Sequence, residues 1–281
     1  MKLRNLDGII DFLKQAEKEL FDSTQKIQKL QKDLSTTQNQ KQREFLSEFS
    51  DFQNAKDFQS VYNFLDYLSS DRNQKIISKA CEEELCKKIA ANASDHENEK
   101  NVLHVASETG NLKLVKFLIN CGCDKEEKDK ERWTPFIYAS SNGHLEVVKY
   151  LISVGANKDA KDKYGRTPLI YASTNGHLEV VKYLISVGAN KEAKDNDGRT
   201  PLIYASSNGH LEVVKNLISI GADKEVKSNY GWTPLTYASF NDHLNVVKYL
   251  ISVGADKETK DNDGRKALNY AKGTVENYLK S

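Results

Sequence analysis

The chain has 281 residues and a formal net charge of +1, although 29% of its residues are charged. Cations and anions this closely balanced argue against a nucleic-acid binder driven by bulk charge, because phosphate neutralisation needs a cationic excess. An apolar fraction of 38% is low for one compact globule and suits a stack of small units that each keep much of their surface wet.

The N-terminal "MKLRNLDGIIDFLKQAEKEL" holds no apolar run of signal-peptide length, and no stretch approaches the length of a membrane span. The expectation is a soluble intracellular protein, cytoplasmic with the nucleus also open to it. Cys81, Cys86, Cys121 and Cys123 are too few for a disulfide framework, and 34 residues separate the inner pair, which disfavours zinc. Four free thiols are expected.

Residues 1–95 lack proline and show no repeat. Leu13, Leu20, Ile27 and Leu34 recur at seven-residue steps, which predicts a long amphipathic helix and a short coiled-coil seam within residues 6–34, interrupted by Ser23. The polar "STTQNQKQ" reads as a break. Further helices are expected in "REFLSEFSDFQ", "DFQSVYNFLDYLSS" and "DRNQKIISKACEEELCKKIA", with Asp57 and Asp71 as N-caps. Phe45, Phe49, Phe52, Phe58, Tyr62, Phe64 and Tyr67 read as the core of a small helical domain. That domain either docks on the first of the repeats that follow or self-associates through residues 6–34.

From residue 96 onward the sequence is periodic. Pro135, Pro168, Pro201 and Pro234 stand 33 residues apart, as do His144, His177, His210 and His243. Within one period, Thr167 caps a helix whose first turn holds Pro168, and "LIYAST" forms that helix up to Asn175-Gly176. His177 opens a second helix, in which Leu178, Val181, Leu184 and Ile185 follow helical spacing. Gly188 then takes a left-handed conformation and a hairpin leads to the next period. Such a unit cannot bury its apolar face alone. Each Leu, Val or Ile is worth about 1.5–3 kcal/mol when buried, and most of that appears only when the next unit stacks.

The pattern "TPLIYAS…NGHLEVVKYLISVGA" resembles the ankyrin repeat, and the wording is similar to large ankyrin families of parasitic protists. The resemblance covers residues 96–281, with units starting near 96, 129, 162, 195, 228 and 261 and the last one truncated. It implies an all-α fold: an ankyrin solenoid of helix-turn-helix units with hairpin loops, preceded by a helical region over 1–95. Two departures stand out. The histidine of the family's T-P-L-H survives only as His104, its place being taken by Ile137, Ile170, Ile203, Thr236 and Asn269. The hairpin glycine seen at Gly165, Gly198, Gly231 and Gly264 is replaced by Arg132, which puts that turn in question.

The histidine column does not suit a metal. Stacked helices lie about 8–10 Å apart, whereas zinc–nitrogen bonds are about 2.0–2.1 Å. These histidines are expected to tie neighbouring units by hydrogen bonds, and no metal or cofactor is expected. Nothing in the chain arranges a nucleophile with a base, so an enzyme is not expected.

The resemblance implies that partners touch hairpin tips and the first-helix face. There the variable positions are Trp133, Arg166, Arg199, Trp232 and Arg265, then Tyr164, Asp197 and Tyr230, then Ser141, Thr174, Ser207 and Phe240 just after the first helix. Trp, Tyr and Arg dominate binding hot spots. The competing structural reading is that these tryptophans and arginines stack within the protein. Phe240 with Trp232 and Tyr230 forms the best single patch. Tyr138, Tyr171, Tyr204, Tyr237 and Tyr270 read as framework. The expected function is a non-enzymatic scaffold that binds a protein partner, with no nucleic acid and no membrane span. The alternative is an adaptor multimerised through residues 6–34.

Overall fold

The computed structural model describes residues 22, 24–26, 58–70, 94–95 and 100–280. The chain divides into two compact units, 1–93 and 94–281. In the first, α1 (Phe58–Ser70) forms where "DFQSVYNFLDYLSS" predicts a helix. Its Leu65 is fully buried, and the Phe58 and Tyr62 rings lie 6.4 Å apart. The seam through Leu13, Leu20, Ile27 and Leu34, the caps Asp57 and Asp71, the helices expected on either side of α1, and Phe45, Phe49 and Phe52 lie outside the described residues.

The second unit opens on a two-residue antiparallel pair, β1 (Ser94–Asp95) with β2 (Lys100–Asn101). Helix pairs follow: α2 (Val102–Glu108) and α3 (Leu112–Asn120), α4 (Pro135–Ser141) and α5 (Leu145–Ser153), α6 (Pro168–Thr174) and α7 (Leu178–Ser186). Then come α8 (Pro201–Ser207) and α9 (Leu211–Ser219), α10 (Pro234–Phe240) and α11 (Leu244–Ser252), and a short closing pair, α12 (Ala267–Tyr270) and α13 (Gly273–Lys280). The fold of this unit is the expected all-α repeat solenoid.

Local chemistry builds each pair in the same way. Thr167 Oγ1 accepts a hydrogen bond from the Ile170 amide at 3.3 Å, and Pro168 occupies the first turn, where no N–H is required. α6 ends at Asn175, and the His177 amide donates to the Ala172 carbonyl at 2.9 Å, which turns the chain into α7. Leu169, Ile170, Ala172, Val180, Val181 and Leu184 are buried. Leu178 and Ile185 are half-buried, so the buried stripe is narrower than the helical spacing suggests and includes Val180.

Hairpins link the units to each other. The Lys163 amide donates to Glu131 O at 3.1 Å, Asn196 to Tyr164 O at 2.9 Å and Asn229 to Asp197 O at 2.8 Å. The side chains of Asn229 and Asn262 add bonds to the backbone one unit earlier, at 3.0 and 2.8 Å. The turn at Arg132 survives. Its amide donates to Asp129 O at 2.9 Å, as Gly165 does to Asp162, but with φ +63 on a residue that carries a Cβ. That conformation costs an ordinary residue about 1–2 kcal/mol. Glycine gives part of this back through the entropy of the unfolded chain. Arg132→Gly is therefore expected to stabilise the protein by about 0.5–1 kcal/mol, read as a higher urea midpoint at unchanged slope.

His104 is the buried counterpart of Ile137, Ile170 and Ile203. Its Nδ1 accepts from the Asn101 amide at 3.1 Å and its Nε2 lies 3.0 Å from the Glu127 carbonyl, to which it donates. This arrangement holds a neutral ring. Burial lowers its pKa, Lys100 adds to the lowering, and the Glu127 carbonyl and Asp129 oppose it. An unfolded chain then binds more protons than the folded one below the ordinary histidine value of about 6.5. Stability contributed at this site is complete above that value and declines as pH falls beneath it. The check is the urea midpoint at pH 7.5 and at pH 5.5. Wild type is expected to lose more stability than His104→Ile, which carries the residue of the neighbouring units.

Cys123 is a thiol outside any disulfide. Cys121 is disulfide-bonded, so the expectation of four free thiols fails at that position. Linear spacing does not reveal which thiols a fold brings together. No helix among the described residues is long and apolar enough to cross a membrane.

Candidate functional site

The hairpin face of the second, third, fourth and sixth units is organised by one carboxylate each, Asp129, Asp162, Asp195 and Asp261. Asp162 is 2% exposed, and its Oδ1 accepts from the Tyr164 and Arg166 amides, both at 2.8 Å. Its Oδ2 accepts from the Tyr171 hydroxyl at 2.7 Å and from Arg166 Nε at 2.9 Å. Asp195 repeats this with Tyr204 at 2.7 Å and Arg199 Nε at 3.0 Å. Burial first, then the adjacent carboxylate, push the hydroxyls of Tyr171 and Tyr204 far above the ordinary tyrosine range. The tyrosine column is framework, as its invariance suggests.

This geometry locates the nine residues singled out from sequence. Arg166 is held by Asp162 and stacks on Tyr171 at 4.8 Å and Tyr164 at 4.6 Å. Arg199 bridges Asp195 and Asp197, at 2.9 and 2.7 Å, and stacks on Tyr204. Trp133 is half-buried between Tyr138 and Tyr171, with centroids at 4.9 and 4.4 Å. Trp232 packs on Tyr237 and, in the following unit, on Tyr270 at 4.4 Å. Arg265 is exposed and lies 3.5 Å from Asp263. Tyr164, Tyr230 and Phe240 are the open aromatics, 47%, 59% and 41% exposed.

The structure brings Phe240 to Trp232, with ring centroids 5.5 Å apart. It also adds a residue that sequence reasoning missed. Lys272 places its ammonium over the Phe240 ring, 4.9 Å from the centroid. Lys272 belongs to the truncated last unit and stands one period after Ser239, in a column of buried serines that gives no sign of a surface cation.

Ser141, Thr174, Ser207 and Phe240 are the last residues of the first helices, whereas the sequence places them just after those helices. The carbonyls of the first three are occupied by the next unit: His177 Nε2 meets Ser141 O at 2.9 Å, His210 meets Thr174 O at 2.8 Å and His243 meets Ser207 O at 3.0 Å. The histidines are ties between units, as expected.

The fifth unit differs from its neighbours. The fourth carries the charged set Asp195, Asp197 and Arg199, and the sixth carries Asp261, Asp263 and Arg265. In the fifth these become Ser228, Tyr230 and Trp232, while Ser207 becomes Phe240. One unit thus loses its hairpin charges and gains exposed aromatic surface on the same face.

A family model of three ankyrin repeats matches in overlapping windows at residues 62–162, 103–195, 153–228, 187–261 and 207–278. The first window opens ahead of residue 96, where the periodic wording begins. No curated protein matches the chain as a relative. With windows that together run from residue 62 to 278, and one geometry repeated from unit to unit, the chain belongs to the ankyrin-repeat family, whose repeats are generally protein–protein interaction modules and typically non-enzymatic.

Proposed function

We propose that this chain is a non-enzymatic scaffold that binds a protein partner through hairpin tips and the first-helix face of residues 96–281, in the cytoplasm or nucleus. The centre of the site is Tyr230, Trp232 and Phe240, with Tyr164 and Arg265 at its rim. Trp133, Arg166, Asp197 and Arg199 shape the hairpins beside it. The observation that carries this reading is the rewriting of the fifth unit. Exposed aromatic rings carry an apolar penalty in water that a partner removes, and such anchors dominate interface energies.

The test converts the fifth unit into a copy of the fourth: Ser228→Asp, Tyr230→Asp, Trp232→Arg and Phe240→Ser. These residues already stand in the same framework one unit earlier, so the fold is expected to persist, checked by circular dichroism and a thermal melt. Affinity capture from cell extract, compared between the wild type and this variant, reads the partner list. Partners lost only in the variant support the site. An unchanged list at unchanged folding overturns it.

A further inference from the structure

The charge around the aromatic cluster selects a partner chemistry. Lys272 is exposed, and among the described residues it enters no ion pair. Its ammonium faces the Phe240 ring at 4.9 Å. Arg265 lies on the neighbouring hairpin, 57% exposed, and its contact with the 67% exposed Asp263 is a loose 3.5 Å. Such an open pair holds its cation weakly.

The nearby carboxylates of Asp242 and Asp261 are engaged by hydrogen bonds within the chain. Asp242 accepts from the Val275 amide at 2.9 Å and from Thr274 Oγ1 at 3.1 Å. Asp261 accepts from the Asp263 and Arg265 amides, both at 2.9 Å, and from the Tyr270 hydroxyl. The carboxylate of the earlier units is replaced by Ser228. The other exposed aromatic, Tyr164, stands among cations that are already paired, Lys163 with Glu131 and Arg166 with Asp162. Lys272 thus sets an ammonium that, among the described residues, makes no ion pair over an open ring, with the loosely paired Arg265 on the neighbouring hairpin.

On the reading that this cluster is the binding site, we propose that its partner is an acidic peptide segment. One aromatic or aliphatic side chain of that segment packs on Phe240 and Tyr230, and an adjacent Asp or Glu reaches Lys272 and Arg265. A carboxylate accepting from an ammonium or guanidinium forms a strong, short hydrogen bond, and the apolar anchor beside it excludes water from the pair.

The experiment pans a phage-displayed library of random peptides of about 12 residues against the full chain. Selected peptides are then synthesised and their affinities measured by fluorescence anisotropy for wild type, Lys272→Glu and Phe240→Ser. Enriched peptides are expected to place Asp or Glu next to a bulky apolar residue. Their affinity is expected to fall about tenfold with Lys272→Glu, to fall with added salt, and to be lost with Phe240→Ser. Neutral or basic peptides that ignore Lys272→Glu but need Phe240 overturn the acidic class while leaving the site in place. Peptides that bind Phe240→Ser as well as wild type overturn the site itself. A library that yields no binder overturns the peptide proposal.

Discussion

Gly176→Ala is expected to lower the stability of the stack by about 3 kcal/mol. Two penalties combine. Gly176 has φ +75, a left-handed conformation that costs a residue with a Cβ about 1–2 kcal/mol. A Cβ at this position also lies 2.6 Å from Nδ1 of His210, well inside any real carbon–nitrogen contact. His210 cannot retreat freely, because its Nε2 is held by the Thr174 carbonyl. The clash therefore strains the tie between the third and fourth units, and overpacking of this kind adds about 1–3 kcal/mol. Stability in a solenoid is a sum of unit terms and nearest-neighbour terms, so a weakened interface near the middle harms both flanks.

The column itself contains the control. Gly110, Gly143 and Gly209 meet the histidine of the next unit in the same way, at 2.5–2.6 Å. The fifth unit instead has Asp242, at φ 57, and the unit after it has no histidine. A side chain is admitted at the one place where the ring is missing, and it is used to accept from Val275 at the start of the last helix. Urea denaturation of Gly176→Ala, His210→Ala and the double variant checks the argument. The double variant is expected to lose clearly less than the sum of the two single losses, because removing the ring removes the clash. Additive losses would show that backbone conformation alone accounts for the glycine.

This coupling marks where sequence reading stops. The period, the Thr-Pro helix starts, the histidine ties and the framework tyrosines follow from short-range chemistry: caps, turns and spacing act within a few residues. The family follows from them. What sequence did not show depends on which units touch. Gly-His reads as a turn dipeptide, yet each glycine serves the histidine of the next unit. Arg166 and Arg199 read as surface anchors, yet a carboxylate four residues earlier already holds each of them. The same three residue types that make a hot spot, Trp, Tyr and Arg, also make a stacked framework, and composition does not separate the cases. Exposure does: Tyr230 and Phe240 remain open where Trp133 is packed. Lys272 is not legible in the sequence because its column, Ser140, Ser173, Ser206 and Ser239, is buried in every earlier unit, and only the shortened last unit opens it to the surface.

A stabilised protein is expected from replacing Ser140, Ser173, Ser206 and Ser239 together with alanine, by about 4 kcal/mol in sum. These serines recur once per unit inside the first helices. Each is fully buried, and none of their hydroxyls has a hydrogen-bond partner. A buried hydroxyl without a partner carries a desolvation penalty of about 1–3 kcal/mol, and serine is a poorer helix former than alanine by about 0.5 kcal/mol. Loss of a little packing volume offsets part of this, leaving about 1 kcal/mol per site. The sites lie in successive units, about 10 Å apart, so their effects should nearly add. In a repeat domain of this size the melting temperature should rise by roughly 8–16 °C. A rise far smaller than the sum would mean that the hydroxyls find partners in solution. The same variant separates framework from recognition. None of the four serines reaches the surface, whereas Tyr230 and Phe240 do. Peptide or partner affinity at the fifth unit should therefore stay at the wild-type value while stability climbs. If affinity fell with the serines, the aromatic cluster would depend on the very softness of the helices that carry it.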